Sequence, residues 1–244
     1  MLELYLNGIV NGVVNFVLFG IVYAFRRLVH KEGLSAFLLQ KGRTGVRRFI
    51  RGAGVGLLVF TLHPVVLLLL GQAQVDADSA FVWQTLLFML AWGFGFLGVA
   101  LFEEALFRGY ILVRLRKHFS DVVAIGITSA IFGFVHFFSY QNSVHFWIGI
   151  ANAILVSVVL AMVVIKSQSL MWAWGFHTGW NLIQTVLFAE QNWGEKLFVN
   201  VQFQESILSG SGHVPESGVL VTAVLVLLAF YVGKPFHARD AATA

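Results

Sequence analysis

Three short groups of polar residues lie in stretches that are otherwise apolar. They are Glu103-Glu104-x-x-x-Arg108, Phe132-x-x-x-His136 and His177-x-x-x-Asn181. Residues 81–102, just before the first group, read FVWQTLLFMLAWGFGFLGVALF without a single charge. An ionised side chain in hydrocarbon costs roughly 2.5–3.5 kcal/mol on insertion scales, so such residues are rare and mark function. A carboxylate and an imidazole can share a water molecule, one taking its proton while the other holds its orientation. A second imidazole and an amide can donate hydrogen bonds to the oxyanion that forms on an attacked carbonyl. Thr128, Ser129 and Thr178 lie nearby, but no serine stands in a nucleophile motif and the chain has no cysteine. Direct attack by water is therefore preferred to a covalent acyl-enzyme.

Helical periodicity decides which of these groups can meet. Residues four apart share a face, so His177 and Asn181 point the same way, and Glu104 and Arg108 form an i,i+4 pair in which each neutralises the other. Glu103 is rotated by about 100° from Glu104 and faces a different neighbour. The hairpin between the first two of the three elements involved turns at Phe119-Ser120, and Glu103 and His136 lie equally far from it on either side. His177 and Asn181 reach a similar depth past the turn at Ser167-Gln168, roughly 14–20 Å by helical rise. One carboxylate, two imidazoles and an amide thus fall in one layer. That layer must face the interior of a bundle, where it is hydrated or paired.

The elements that carry them are membrane spans. Of 244 residues 58% are hydrophobic and 11% charged, against about 25% charged in soluble domains. This composition excludes a soluble globular protein and disorder, and a net charge of +4 gives no reason to expect nucleic-acid binding. The expectation is an all-α, polytopic bundle of about seven or eight transmembrane helices forming a single domain, residues 1–244. Spans fall near residues 5–24, 52–70, 80–117, 122–138, 144–165, 170–188 and 219–232. The catalytic core covers about 80–190, with the first two spans (5–72) and the last (217–234) peripheral. Of the 16 Lys and Arg only Lys196 falls in an outer loop, which places the N-terminus outside and the C-terminus in the cytoplasm. The N-terminal run reads as a retained span, not a cleaved leader. Residues 34–39 suggest an amphipathic interfacial piece, and His63-Pro64 a kink. Residues 80–117 would make a helix of about 57 Å, longer than roughly 30 Å of hydrocarbon. Gly93-Phe-Gly-Phe-Leu-Gly98 therefore marks either a break or a close helix contact. His30, His118, His145, His213 and His237 read as loop or interfacial residues. Trp172, Trp174 and Trp180 read as anchoring and packing, with ring surfaces near His177 able to line a substrate groove.

The set EExxxR, FxxxH and HxxxN, in this order on successive membrane segments, resembles the CPBP family, the CAAX-prenyl endopeptidases and bacteriocin-processing (Abi) proteins. The resemblance covers about residues 93–188. It implies that Glu103 and His136 activate water, that His177 and Asn181 stabilise the oxyanion, and that Glu104 and Arg108 support the site; Phe132 reads as packing that fixes the helix beside His136. It also implies a polytopic helical fold with a cavity open to the cytoplasm; the eight basic residues of the first inner loop suggest a prokaryotic plasma membrane. The expected partners are a membrane-associated peptide or protein substrate and the bilayer, with oligomeric state unspecified.

Two further readings stand beside it. Glu103, His136 and His177 are one carboxylate and two imidazoles, a donor set that Zn²⁺ accepts, although no HExxH spacing is present; the metal-free mechanism is preferred. A proton-coupled transporter would use the same three residues as a relay, but no inverted repeat is visible. A non-catalytic scaffold or immunity protein would keep the motifs as a relic.

Overall fold

Apolar runs must satisfy their backbone internally and so fold as helices. The computed structural model describes residues 1–137, 145–211 and 214–234, and the expectations placed on Phe138, Val144, His213 and His237 lie outside them. The helices are α1 Leu2–His30, α2 Gly42–Leu69, α3 Val82–Glu104, a π-helix Ala105–Leu112 running into the short α4 Val113–Leu115, α5 Asp121–Val135, α6 His145–Ser167, α7 Met171–Leu187, α8 Ala189–Trp193 and α9 Val219–Gly233. Four described helical stretches are long and apolar enough to cross a membrane, Leu2–His30, Leu34–Leu69, Ser79–Leu115 and His145–Ser167. α5 and α9 are shorter apolar helices. Large apolar side chains such as Leu58, Leu90, Trp147 and Phe230 are exposed, as a lipid-facing surface requires.

The long third element does not break. It stays helical through Gly93 to Gly98, and these glycines serve close packing. A Cβ on Gly95 would lie 2.7 Å from the Gly8 carbonyl oxygen of α1, and one on Gly98 2.7 Å from that of Gly12. Directly after Glu104 the element continues as the π-helix Ala105–Leu112, and an i→i+5 pattern often accompanies a functional site. α2 and α7 meet in the same way: Gly52 and Gly56 face the Trp172 and Phe176 carbonyls, and Gly175 and Gly179 face those of Phe49 and Ala53. Without side chains between them the two backbones approach closely. Pro64 is accommodated inside α2, and the buried His63 donates from Nε2 to the Ser209 carbonyl at 2.8 Å, tying α2 to the loop before α9.

Three features depart from the sequence-based expectation. The all-α expectation omits a two-stranded antiparallel sheet, β1 Ala73–Ala77 with β2 Val199–Phe203, which joins two loops far apart in the chain. Its pairing is non-local and leaves no periodic trace. Residues 34–39 are not an interfacial helix: a 3₁₀ turn, Leu34–Phe37, buries Phe37 completely against Gly109. α9 is not peripheral, because Val221 and Leu225 line the central cavity.

At the basic end of the bundle Glu32, in the loop after α1, gathers arginines from α1 and α4. Arg26 Nε donates to it at 2.7 Å and Arg114 Nη2 lies at 2.9 Å, while Arg26 Nη1 donates to the Gly109 carbonyl at 2.6 Å. The loop after α1 is thereby fastened to the end of the π-helix.

Two outcomes follow from this packing. Gly56→Ala, which drives a methyl into the Phe176 carbonyl, should lower the thermal midpoint in detergent, a loss of about 1–3 kcal/mol. Gly54→Ala, on the same helix with nothing within 4 Å, should be neutral or stabilising by up to about 1 kcal/mol. The hydrogen bond from Arg26 holds the Glu32 carboxyl below its ordinary value of 4.5. A depressed pKa gives stability that is present above the ordinary value and is lost as pH falls through the folded one. The melting temperature should therefore drop in that acid window in the wild type, and Glu32→Gln should flatten this drop.

Candidate active site

Glu104 is the last residue of α3 and is fully buried, and so is Arg108, one turn on in the π-helix. Arg108 Nη1 donates to Glu104 Oε1 at 2.9 Å. A buried carboxylate and guanidinium tolerate hydrocarbon only as such a pair. The same oxygen accepts from His177 Nδ1 at 3.0 Å, across the bundle on α7. A carboxylate only accepts, so Nδ1 carries a hydrogen and the ring is fixed with Nε2 outward. Nε2 stands 3.9 Å from Glu103 Oε2. Glu104 is thus more than a partner for Arg108 along its own helix: it also orients His177.

His136 caps the C-terminus of α5 and donates from Nδ1 to the Phe132 carbonyl at 2.8 Å. A carbonyl also only accepts, so Nε2 is left as the unprotonated, proton-accepting nitrogen of the neutral ring. The Phe132 ring lies against His136, 4.5 Å between centroids, and carries the Arg108 guanidinium 4.5 Å above its face. Phe132 therefore links the ion pair to the histidine through a cation–π contact.

Glu103, Phe132, His136, His177 and Asn181 all line one cavity of about 140 Å³, enough for several water molecules. Glu103 Oε2 is buried without a hydrogen-bond partner, an acceptor directed at that space. Trp180 lines the cavity as well, while Trp174 donates to the Leu97 carbonyl at 3.0 Å and Trp172 stacks on Phe176. The neighbouring hydroxyls stay out: Thr178 donates to the Trp174 carbonyl at 2.8 Å, and Thr128 and Ser129 are buried on α5 outside the cavity lining. Among the described residues no group of three or more His, Asp or Glu is arranged to hold a metal ion. Glu103, His136 and His177 line a common space.

Two lining residues escaped the sequence reading. Asn152 of α6 and Glu216, from the 3₁₀ turn Pro215–Ser217 ahead of α9, form the opposite wall. Burial pushes the Glu216 carboxyl above its ordinary range; hydrogen bonds from Gln184 and Trp180 and the nearby His136 and His177 rings act the other way. Asn152 was detectable as an amide in an apolar span. Glu216 carried no signal, being one of several acids in a polar loop.

Residues 81–183 match the family model described as Rce1-like, type II CAAX prenyl endopeptidase, and the match contains every residue of the three motif groups. No curated protein and no solved structure matches the chain.

The shared carboxylate makes a test of the frame. Glu104→Gln leaves the Arg108 charge buried without a counter-charge, which should cost about 3–5 kcal/mol of stability. Pairing it with Arg108→Met should recover most of that loss, measured by denaturant or thermal unfolding in detergent.

Proposed function

We propose that this chain is an intramembrane endopeptidase of the CAAX type that hydrolyses a peptide bond with a water activated by Glu103 and His136. The observation that carries this is the single cavity onto which Glu103, His136, His177 and Asn181 converge, within the stretch that matches a prenyl-endopeptidase family. Water bound between the unpartnered Glu103 Oε2 and His136 Nε2 gives its proton to one of them as its oxygen attacks the scissile carbonyl. The tetrahedral oxyanion then accepts hydrogen bonds from the Asn181 amide and from His177 Nε2–H. Donation from His177 requires the ring to carry both protons, and the Glu103 and Glu104 carboxylates on either side supply the compensating charge. Collapse of the intermediate breaks the C–N bond, and the leaving amine takes the proton held by Glu103 or His136. No metal is needed for this sequence, and Zn²⁺ plays no part in the proposed mechanism.

In this reading the chain crosses a cell membrane seven times, with α1 starting outside and α9 ending in the cytoplasm, as the distribution of Lys and Arg supports. The substrate is a membrane-associated peptide, and the cavity opens toward the cytoplasmic side.

Glu103→Ala and His136→Ala should each be expressed and folded as the wild type and lower cleavage of a prenylated or unprenylated peptide by about 10²–10⁴-fold. Cleavage is measured with the protein in detergent or nanodiscs. Retained cleavage in either variant sinks the mechanism.

A further inference from the structure

Glu216 enters the cavity from a loop, yet it is held as firmly as a helix residue. Asn152 Nδ2 donates to its carbonyl at 2.8 Å and to that of Gly218 at 3.1 Å, and Thr222 Oγ1 donates to Asn152 Oδ1 at 2.7 Å. This clamp joins α6 and α9 across the turn. Its side chain accepts from Gln184 Nε2 on α7, and Trp180 of the same helix lines the cavity beside it. Three helices thus fix the position of one loop carboxylate beside the catalytic groups.

What the carboxylate lacks is a cation. Gln184 is neutral, and the ionisable groups that act on the carboxylate among the described residues are the His136 and His177 rings. Arg108, the guanidinium beside the site, is taken up by Glu104. Across the cavity Glu103 adds a second carboxylate with an unpartnered oxygen. A carboxylate placed in a membrane cavity is costly, and a protein retains it where something entering the cavity supplies the opposite charge. The attraction is strong there because the surroundings are of low polarity. The rest of the wall is apolar, made by Val156, Leu160, Phe176, Val221 and Leu225.

We propose that Glu216 is a specificity-determining residue that selects a substrate segment bearing a positive charge beside the scissile bond, flanked by apolar side chains. This rests on the hydrolytic reading of the cavity above. The cation is an ammonium or guanidinium, supplied by a Lys or Arg side chain or by a free α-amino group. A Glu at the same substrate position meets two carboxylates and is rejected.

The test uses the full chain in nanodiscs and quenched fluorescent peptides that differ only in carrying Lys, Gln or Glu beside the cut. N-acetylated and free-amine versions of each separate the two sources of charge. The readout is the ratio of kcat/KM between peptides within one variant. The wild type should prefer Lys to Gln by about tenfold, and Gln to Glu in turn. Glu216→Asp should keep that order, Glu216→Gln should reduce the ratios severalfold while the Glu103 carboxylate keeps a residue of the preference, and Glu216→Lys should reduce them further. Unchanged ratios in Glu216→Gln, or no charge preference in the wild type, overturn the proposal. Binding of labelled peptides, followed by fluorescence anisotropy, gives the same ratios without turnover. If the wild type cleaves none of the peptides yet binds Lys over Glu through Glu216, the hydrolytic reading fails and the selectivity stands. If it cleaves them without charge preference, the selectivity fails alone.

Discussion

The site depends on one fully buried oxygen, Glu104 Oε1, which accepts from Arg108 on its own helix and from His177 on another. Each partner needs the other. Without Arg108 the carboxylate would sit uncompensated in a membrane interior, and without the carboxylate His177 would have no fixed tautomer. Because the guanidinium also lies on the Phe132 ring, and Phe132 supplies the carbonyl that orients His136, the same ion pair reaches both histidines. A charge pair that costs desolvation energy is thus used to orient the two imidazoles of the cavity, with Glu103 left free of structural bonds.

Helix packing makes that arrangement possible. α7 carries His177, Trp180, Asn181 and Gln184, and it is pressed onto α2 by glycines on both faces of the contact. α3 is pressed onto α1 in the same manner. With lipid outside there is no hydrophobic force to drive helices together, so close backbone approach and dispersion contacts do it. The cavity lies where this tight packing gives way to the looser apposition of α6 and α9, bridged by Asn152 and Thr222.

Much of the site was legible in the sequence because helical spacing and membrane depth are both arithmetic. The i,i+4 relation anticipated the Glu104–Arg108 pair, and counting from the hairpin turn put Glu103 level with His136. The same reasoning left open whether residues 80–117 break. The structure resolves it with a continuous helix, since the glycines face the backbone of α1. Glu104 was assigned to its own helix alone, because no spacing rule pairs residues 73 positions apart.

By itself the sequence determined that the chain is a membrane bundle and which charged residues must turn inward, since burying charge in hydrocarbon allows few alternatives. It also brought together residue types that are the parts of a hydrolytic site. Only the tertiary structure decided which carboxylate holds which imidazole, and that Glu216 from a distant loop closes the cavity. Those are contacts between elements, set by the packing of helices whose order in space the linear pattern does not encode.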